Sequence, residues 1–484
     1  MNRSVFIKLI ITIAALFSVS SLAAKNMTIL VYPFKNTGDK TFSWVSAGMT
    51  DTVISDLGKI ENINVLTEED RKKAVKEMEL AQSGILDEKT TVKVGQMLGA
   101  NVIFTGSYLV MGNQIRVNAR LLDVEKGKVE KSLKIDGTMD KIFEFQDQIV
   151  MNLMAETQKI KIAEITPAKF TEADKKRISD TARPDAEAFK LYSKGLELKD
   201  TNPKEALEYF KNAINIQADY TEAMIEAGIT AGRELSRFQE AFEFLDKADK
   251  IFTQRGDTSS KKYAALMHRT GSVYLSKGDL EKSIEYLLKS EQIRNKLNLR
   301  NTNEYTNLLI EIGWNYFSRM KLDLALDIYF ESKKLKEMMK LQNTPDYTVV
   351  LNVIGSVYYY KGQKDTALDY YLKSKKIREK LGLEGSTEYS NLLNNISNVY
   401  MDKGNPDAAL QYLEQGKVIK EKLGLQDTIG YAFIYLNMGY AYERKGSMDK
   451  AGECFRKAYD IYEKAGYTGP EKKQALQGAK RLGR

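Results

Sequence analysis

The chain has 484 residues, 43% hydrophobic and 29% charged, enough to bury core in more than one domain without cross-links. Its 73 Lys and Arg against 65 Asp and Glu leave a net charge of +8, interleaved along the chain and not gathered into the basic stripe of a nucleic-acid binder. One histidine (His268) and one cysteine (Cys454) give no basis for a zinc-type ligand set, for a Cys/His or Ser/His/Asp catalytic set, or for an intramolecular disulfide, so neither metal nor cofactor is expected.

In chain order, Arg3 and Lys8 flank an apolar run from Leu9 to Val19, and Ser21-Leu22-Ala23 offers small residues where a signal peptidase reads. Residues 1–23 therefore read as a cleavable secretory signal peptide, whose loss brings the charge to about +6. No cysteine follows the apolar run, so a lipid anchor is not expected. No later stretch reaches the roughly 18–20 apolar residues of a spanning helix. The mature chain is expected in the periplasm or secreted, with no integral membrane segment.

Residues 25–158 read as an α/β domain. Met27 to Phe34 is a buried strand followed by a turn at Asn36-Thr37-Gly38-Asp39. Ser43 is placed to cap a helix over Trp44–Leu57, striped by Val45, Met49, Val53 and Leu57. Ile63–Leu66 is a short strand, Thr67-Glu68-Glu69-Asp70 opens a second helix, and a third runs from Val92 to Leu98 and closes at Gly99. Three strands follow, Val102–Val110, Ile115–Asp123 and Val129–Gly137, joined by turns at Gly112-Asn113 and Glu125-Lys126-Gly127. Alternation sets Ile115, Val117 and Ala119 on one face and Arg116, Asn118 and Arg120 on a wet one. A helix over Lys141–Glu156, with Ile142, Phe145, Ile149 and Leu153 on one side, covers the sheet. Gly106, Gly112 and Gly127 read as structural glycines, not as a phosphate cradle. Residues 159–184, with Pro167 and Pro184, form a polar linker of undetermined rigidity, and each half is expected to fold alone.

Residues 185–468 carry an internal repeat. Gly271, Gly313, Gly355, Ser397 and Gly439 recur every 42 residues, each with a tyrosine three places later. Small residues follow at Ser283, Ala325, Ala367, Ala409 and Ala451, and then bulky ones at Leu287, Tyr329, Tyr371, Leu413 and Phe455. Two shorter copies, around Gly195 and Gly228, bring the total to seven. Small residues sit where two helices approach closely and large ones fill the gaps, so no unit buries its face alone. Gly469-Pro470 ends the last unit, and residues 470–484 form a capping helix. The fold class is a two-domain α+β chain, a mixed α/β sandwich followed by an all-α superhelical solenoid.

The repeat pattern resembles tetratricopeptide (TPR) repeats, in the longer form of kinesin light chains and related adaptors, which implies peptide or protein partners. The phrases VYPFKNTGDKTFSWVSAGMTDTVISDL and LGANVIFTGSYLVMGNQIRVNARLLDVEKGKV resemble the TolB amino-terminal-like domain and the related domains of CsgG and FlgO. The repeat phase points Asn307, Ile310 and Trp314 into a concave surface, and likewise Val349, Asn352 and Ser356; Asn391, Asn394 and Asn398; and Phe433, Leu436 and Tyr440. Asparagines donate to and accept from an extended backbone, and aromatics give contact area at low entropic cost. Asn307, Trp314, Asn352, Asn391, Asn394, Asn398 and Tyr440 are the candidate binding residues; the asparagines equally fit a role bracing neighbouring helices.

These readings imply a non-catalytic exported adaptor with protein or peptide partners and no nucleic acid. One alternative is an oligomeric accessory component of an envelope secretion or flagellar assembly, self-associating through the N-terminal domain. The other is a hydrolase with a hidden carboxylate pair.

Overall fold

Apolar alternation in the first part of the chain builds a six-stranded mixed sheet, seen in a computed structural model that describes residues 26–60, 63–77, 88–160, 162, 165, 169–180 and 182–483. The expected signal peptide lies outside the described residues. The strands are β1 (Met27–Val31), β2 (Lys35–Asn36), β3 (Ile63–Leu66), β4 (Val102–Met111), β5 (Gln114–Asp123) and β6 (Lys128–Thr138). Their order is β3-β1-β4-β5-β6, with β2 on β4. β1 runs parallel to both neighbours, Ile29 facing Val65 and Val102, whereas β4-β5-β6 is the antiparallel meander that the two turns imply. At Gly106 a side chain is impossible without moving β5, because a Cβ would lie 2.2 Å from the Asn118 carbonyl oxygen.

One face of the sheet, with Phe104, Tyr108, Val117, Ala119 and Leu121, packs on helices α1 (Trp44–Leu57) and α4 (Ile142–Thr157). On the opposite face Leu30, Ile103 and Leu122 meet Ala74, Val94 and Leu98 of α2 (Glu68–Glu77) and the α3 region (Glu88–Met97 and the residue after it). Helices α2 and α3 leave Thr105, Ser107 and Arg120 of that face partly or fully exposed. Ser43 does not cap α1 with its side chain: its backbone is already helical (φ −57°, ψ −36°) because a 3-10 turn, Lys40–Phe42, precedes it. Asp39 caps that turn instead, accepting from the Thr41 amide at 2.8 Å.

Helix pairs follow at Ala186–Leu198/Pro203–Ile216, Thr221–Ile229/Phe238–Gln254, Lys261–Lys277/Leu280–Lys296, Asn303–Ser318/Leu322–Met338, Pro345–Tyr360/Lys364–Leu381, Thr387–Asp402/Pro406–Lys422 and Ile429–Arg444/Met448–Lys464, here numbered as repeats one to seven. The periodic glycines mark direct helix contact: a Cβ on Gly313 would lie 2.3 Å from the Tyr329 ring, and one on Gly439 2.7 Å from Phe455. Where the second-helix residue is Leu413, the position holds Ser397. The next small position has a polar use. Ser290, Ser332 and Ser374 each donate to a backbone carbonyl 26 residues earlier, on the first helix of their own repeat. In the sixth repeat Gly416 stands there, and the bond reverses, with Ser390 donating to the Gly416 carbonyl at 2.9 Å. The last helix, Pro470–Arg481, lays Ala475 and Ala479 on the final apolar face and thereby closes the stack.

A single apolar cluster runs from the sheet through Phe189, Tyr192 and Phe210 to Phe252 and Ile293. Phe189 of the first repeat sits edge-on to Phe143 (4.9 Å between ring centroids) and Trp44 (6.5 Å). A Cβ on Gly48 would lie 2.1 Å from the Ser193 hydroxyl. The segment between the halves is itself docked. Its helix α5 (Glu172–Ser179) is closed by a capping box of Thr171 and Asp174, buries Ile178, and is followed by Arg183, which bridges Asp56 and Asp147. The halves therefore do not each close a core of their own, as the polar linker had implied.

Candidate functional site

The first helices of successive repeats lie side by side, and the α/β domain rests along their face over the first four repeats. The acidic start of α2 is the contact. Thr67 and Asp70 cap it reciprocally, the Thr67 amide donating to Asp70 at 3.0 Å and the Asp70 amide to the Thr67 hydroxyl at 3.1 Å. Glu68 lies 3.5 Å from Lys199, Glu69 lies 2.6 Å from Arg269 and 3.7 Å from Arg233, and Asp70 accepts from the Asn307 amide at 3.2 Å. Further along, the Asn64 amide donates to the Asn301 carbonyl at 3.2 Å, and Gly99 lies against Leu341.

This contact holds carboxylates of opposite behaviour. Burial works against the Glu68 and Glu69 charges, but Lys199 and Lys72 for the one and Arg269 for the other outweigh it and hold both pKa values at about 2. Burial, reinforced by Asp346, pushes Asp70 up to about 6. Asp51, whose carboxylate accepts from the Tyr192 hydroxyl at 3.2 Å, is pushed up to about 7 by burial and by the charges of Glu226 and Glu68.

The seven candidate residues separate into three kinds. Asn307 is engaged by Asp70 of the same chain. Asn352 and Asn394 join an inter-repeat ladder: the Asn395 amide donates to Asn352 at 3.1 Å, and the Asn437 amide donates to Asn394 at 2.9 Å. Each link joins a position in one repeat to the position 43 residues on, so asparagines brace neighbouring helices here. Asn395 and Asn437 were not singled out from the sequence, although the same 42-residue phase, advanced by one, contains them. Asn391 and Asn398 make no side-chain hydrogen bond to another described residue. Trp314 is 46% exposed and Tyr360 58%; Phe317 lies between them, 5.5 Å from the first ring and 5.1 Å from the second. Tyr440 is half-buried, edge-on to Phe455 at 5.1 Å. Beyond the α/β domain, the face thus offers an exposed aromatic group and unengaged amides.

His268 is buried on the third repeat, its Nε2 3.4 Å from Glu311, which also accepts from the Ser272 hydroxyl. Cys454 is buried beside Phe455, and burial pushes its thiol up to about 11, as suits a core cysteine and not a nucleophile. Among the described residues no group of three or more His, Cys, Asp or Glu is disposed to hold a metal ion.

Comparison with known proteins agrees with this architecture. Residues 346–422, 264–297 and 434–464 match tetratricopeptide-repeat families, and residues 12–112 match the family described as "Curli production assembly/transport component CsgG". The chain is thus a tetratricopeptide-repeat scaffold with a CsgG-like N-terminal region. A curated Rhizobium meliloti (strain 1021) protein named "Putative adenylate cyclase 3" is 25% identical over 165 residues, 34% of this chain and 25% of that protein. The chain therefore spans about a quarter of the length of this relative. Among solved structures, the TPR-like repeats of a Podosopora anserina protein described as a kinesin light chain are 16% identical, with 43% of this chain and 97% of that one covered at a TM-score of 0.37. A Rap protein complexed with competence and sporulation factor is 12% identical, with 71% and 94% covered at a TM-score of 0.42. Among the described residues no helix is long and apolar enough to cross a membrane.

Proposed function

We propose that this chain is a non-catalytic exported adaptor that binds protein or peptide partners on the inner face of repeats four to seven, where the α/β domain leaves that face open. The exposed aromatic group of Trp314, Phe317 and Tyr360, beside the unengaged amides of Asn391 and Asn398, carries the reading. Exposed aromatics on a surface otherwise rich in charge are the material of binding hot spots. Export rests on the basic, apolar and small-residue pattern of residues 1–23.

Affinity capture from the envelope fraction, followed by calorimetry with the captured partner, tests the face. Trp314→Ala and the pair Asn391→Ala/Asn398→Ala should each weaken binding by about 1–2 kcal/mol or more without unfolding the repeats. Unchanged affinity for these variants, with a loss for Lys375→Ala/Lys376→Ala on the second helix of repeat five, would refute it. Intact mass should show a mature chain beginning near Ala24, and recovery of the uncleaved chain in the cytoplasm would refute export. The CsgG-family match supports a second reading, an oligomeric accessory component of an envelope assembly. A stable homo-oligomer in light scattering would favour it.

A further inference from the structure

Away from the repeat face, a cleft of about 740 Å³ opens between the uncovered half of the sheet, α1, α2 and the first helix of repeat one. It lies off the carboxyl end of β1, which is parallel to both its neighbours, and at a seam between domains; both are places where small molecules bind in α/β proteins. Its volume is that of a site for one small molecule.

We propose that this cleft binds a small molecule bearing a phosphate or carboxylate group. The hydroxyls of Ser46, Thr105 and Ser107 line it, and none of them bonds to another described residue. Lys35 and Arg120 reach it from β2 and β5, exposed and without an acidic partner among the described residues. Arg71 of α2 is nine-tenths buried, its guanidinium 5.3 Å above the Tyr32 ring and 3.6 Å from Glu68, and its Nε has no hydrogen-bond partner. Three cations and three unspent hydroxyls along one wall match the several lone pairs of an oxyanion, and the guanidinium forks suit two oxygens of one group. Tyr32, Val75 and Leu196 give the remainder of the molecule an apolar surface. Acidic residues stand on the far wall. Glu68 and Asp200 are held by Lys72, and Glu68 also by Lys199, which leaves Glu197 as the acid that would repel the ligand from that side and confine its charged end to the sheet.

The test is calorimetric titration of the full mature chain, in about 150 mM salt to screen diffuse attraction, with inorganic pyrophosphate and separately with citrate. Saturable one-site binding of either probe is the expected result. Arg120→Gln/Lys35→Gln, both exposed positions, should weaken it at least about tenfold at an unchanged melting temperature, whereas Lys375→Ala should not. Saturation by pyrophosphate alone assigns a phosphate ligand, and by citrate alone a carboxylate. Saturation by neither, or binding that survives the double variant, overturns the proposal, and neither result bears on the repeat face.

Discussion

Replacing Phe189 by alanine should loosen the α/β domain from the solenoid and lower the stability of both. Phe189 is 3% exposed, wedged between Phe143, Trp44 and the backbone of α1 at Gly48, where a Cβ would come within 2.9 Å of its ring. Truncating a phenylalanine so enclosed costs about 3–5 kcal/mol, the lost transfer energy plus the cavity left behind. With an m-value of about 3 kcal/mol/M, that is a fall in the urea midpoint of about 1 M or more. Trp44 is 7% exposed beside the site and Trp314 is 46% exposed, so in a Trp314→Phe background the emission reports this interface alone. Helical ellipticity, dominated by the repeats, should fall at the same midpoint, because one cluster joins the two halves. A Trp44 midpoint moved by less than about 0.2 M at unchanged m would refute the packing argument. A shift confined to Trp44, with the ellipticity transition unmoved, would show that the halves unfold independently.

Asp51 supplies a pH signature. In the unfolded chain its carboxyl ionises near pH 4, but in the fold burial and its acidic neighbours push the pKa to about 7, so ionisation costs stability progressively as pH rises through that window. Asp51→Asn should therefore raise the urea midpoint at pH 8 and leave it near wild type at pH 4; equal gains at both would discount the shift. Asn395→Ala removes one rung of the asparagine ladder and leaves the Asn352 carbonyl unpaired, a loss of about 1 kcal/mol that scanning calorimetry should detect. The ion pairs of Glu69 involve a half-exposed carboxylate, so Glu69→Gln should cost less than about 1 kcal/mol. Hydrogen exchange in α2 should quicken in that variant, and high salt should quicken it in the wild type but not in the variant. Gly106→Ala should destabilise by about 1–3 kcal/mol, read by the same urea titration, since its Cβ must displace the Asn118 carbonyl.

The repeat was legible because its period is a packing requirement: Gly313 under the Tyr329 ring, and Ser374 bonded to the Thr348 carbonyl, return at one spacing in every unit built the same way. The strands were legible because alternation between a wet and a dry face has period two, as Val117 and Asn118 show. What local pattern could not show is where the two halves meet. Glu69 and Arg269 are 200 residues apart, and Asp70 and Asn307 are 237 apart. Each alone reads as an ordinary solvated charge or a groove amide, and the 3-10 turn that displaced the Ser43 cap is likewise a matter of how β2 joins α1. By itself the sequence determined the kinds of element, the repeat phase and the face each first helix turns inward, since these follow from spacing along one chain. Only the tertiary structure decided that the α/β domain occupies the first half of that face, that Asn352 and Asn394 are spent on neighbouring helices, and that a cleft opens beside Arg71. Those depend on which distant surfaces lose water together, and no periodicity records that.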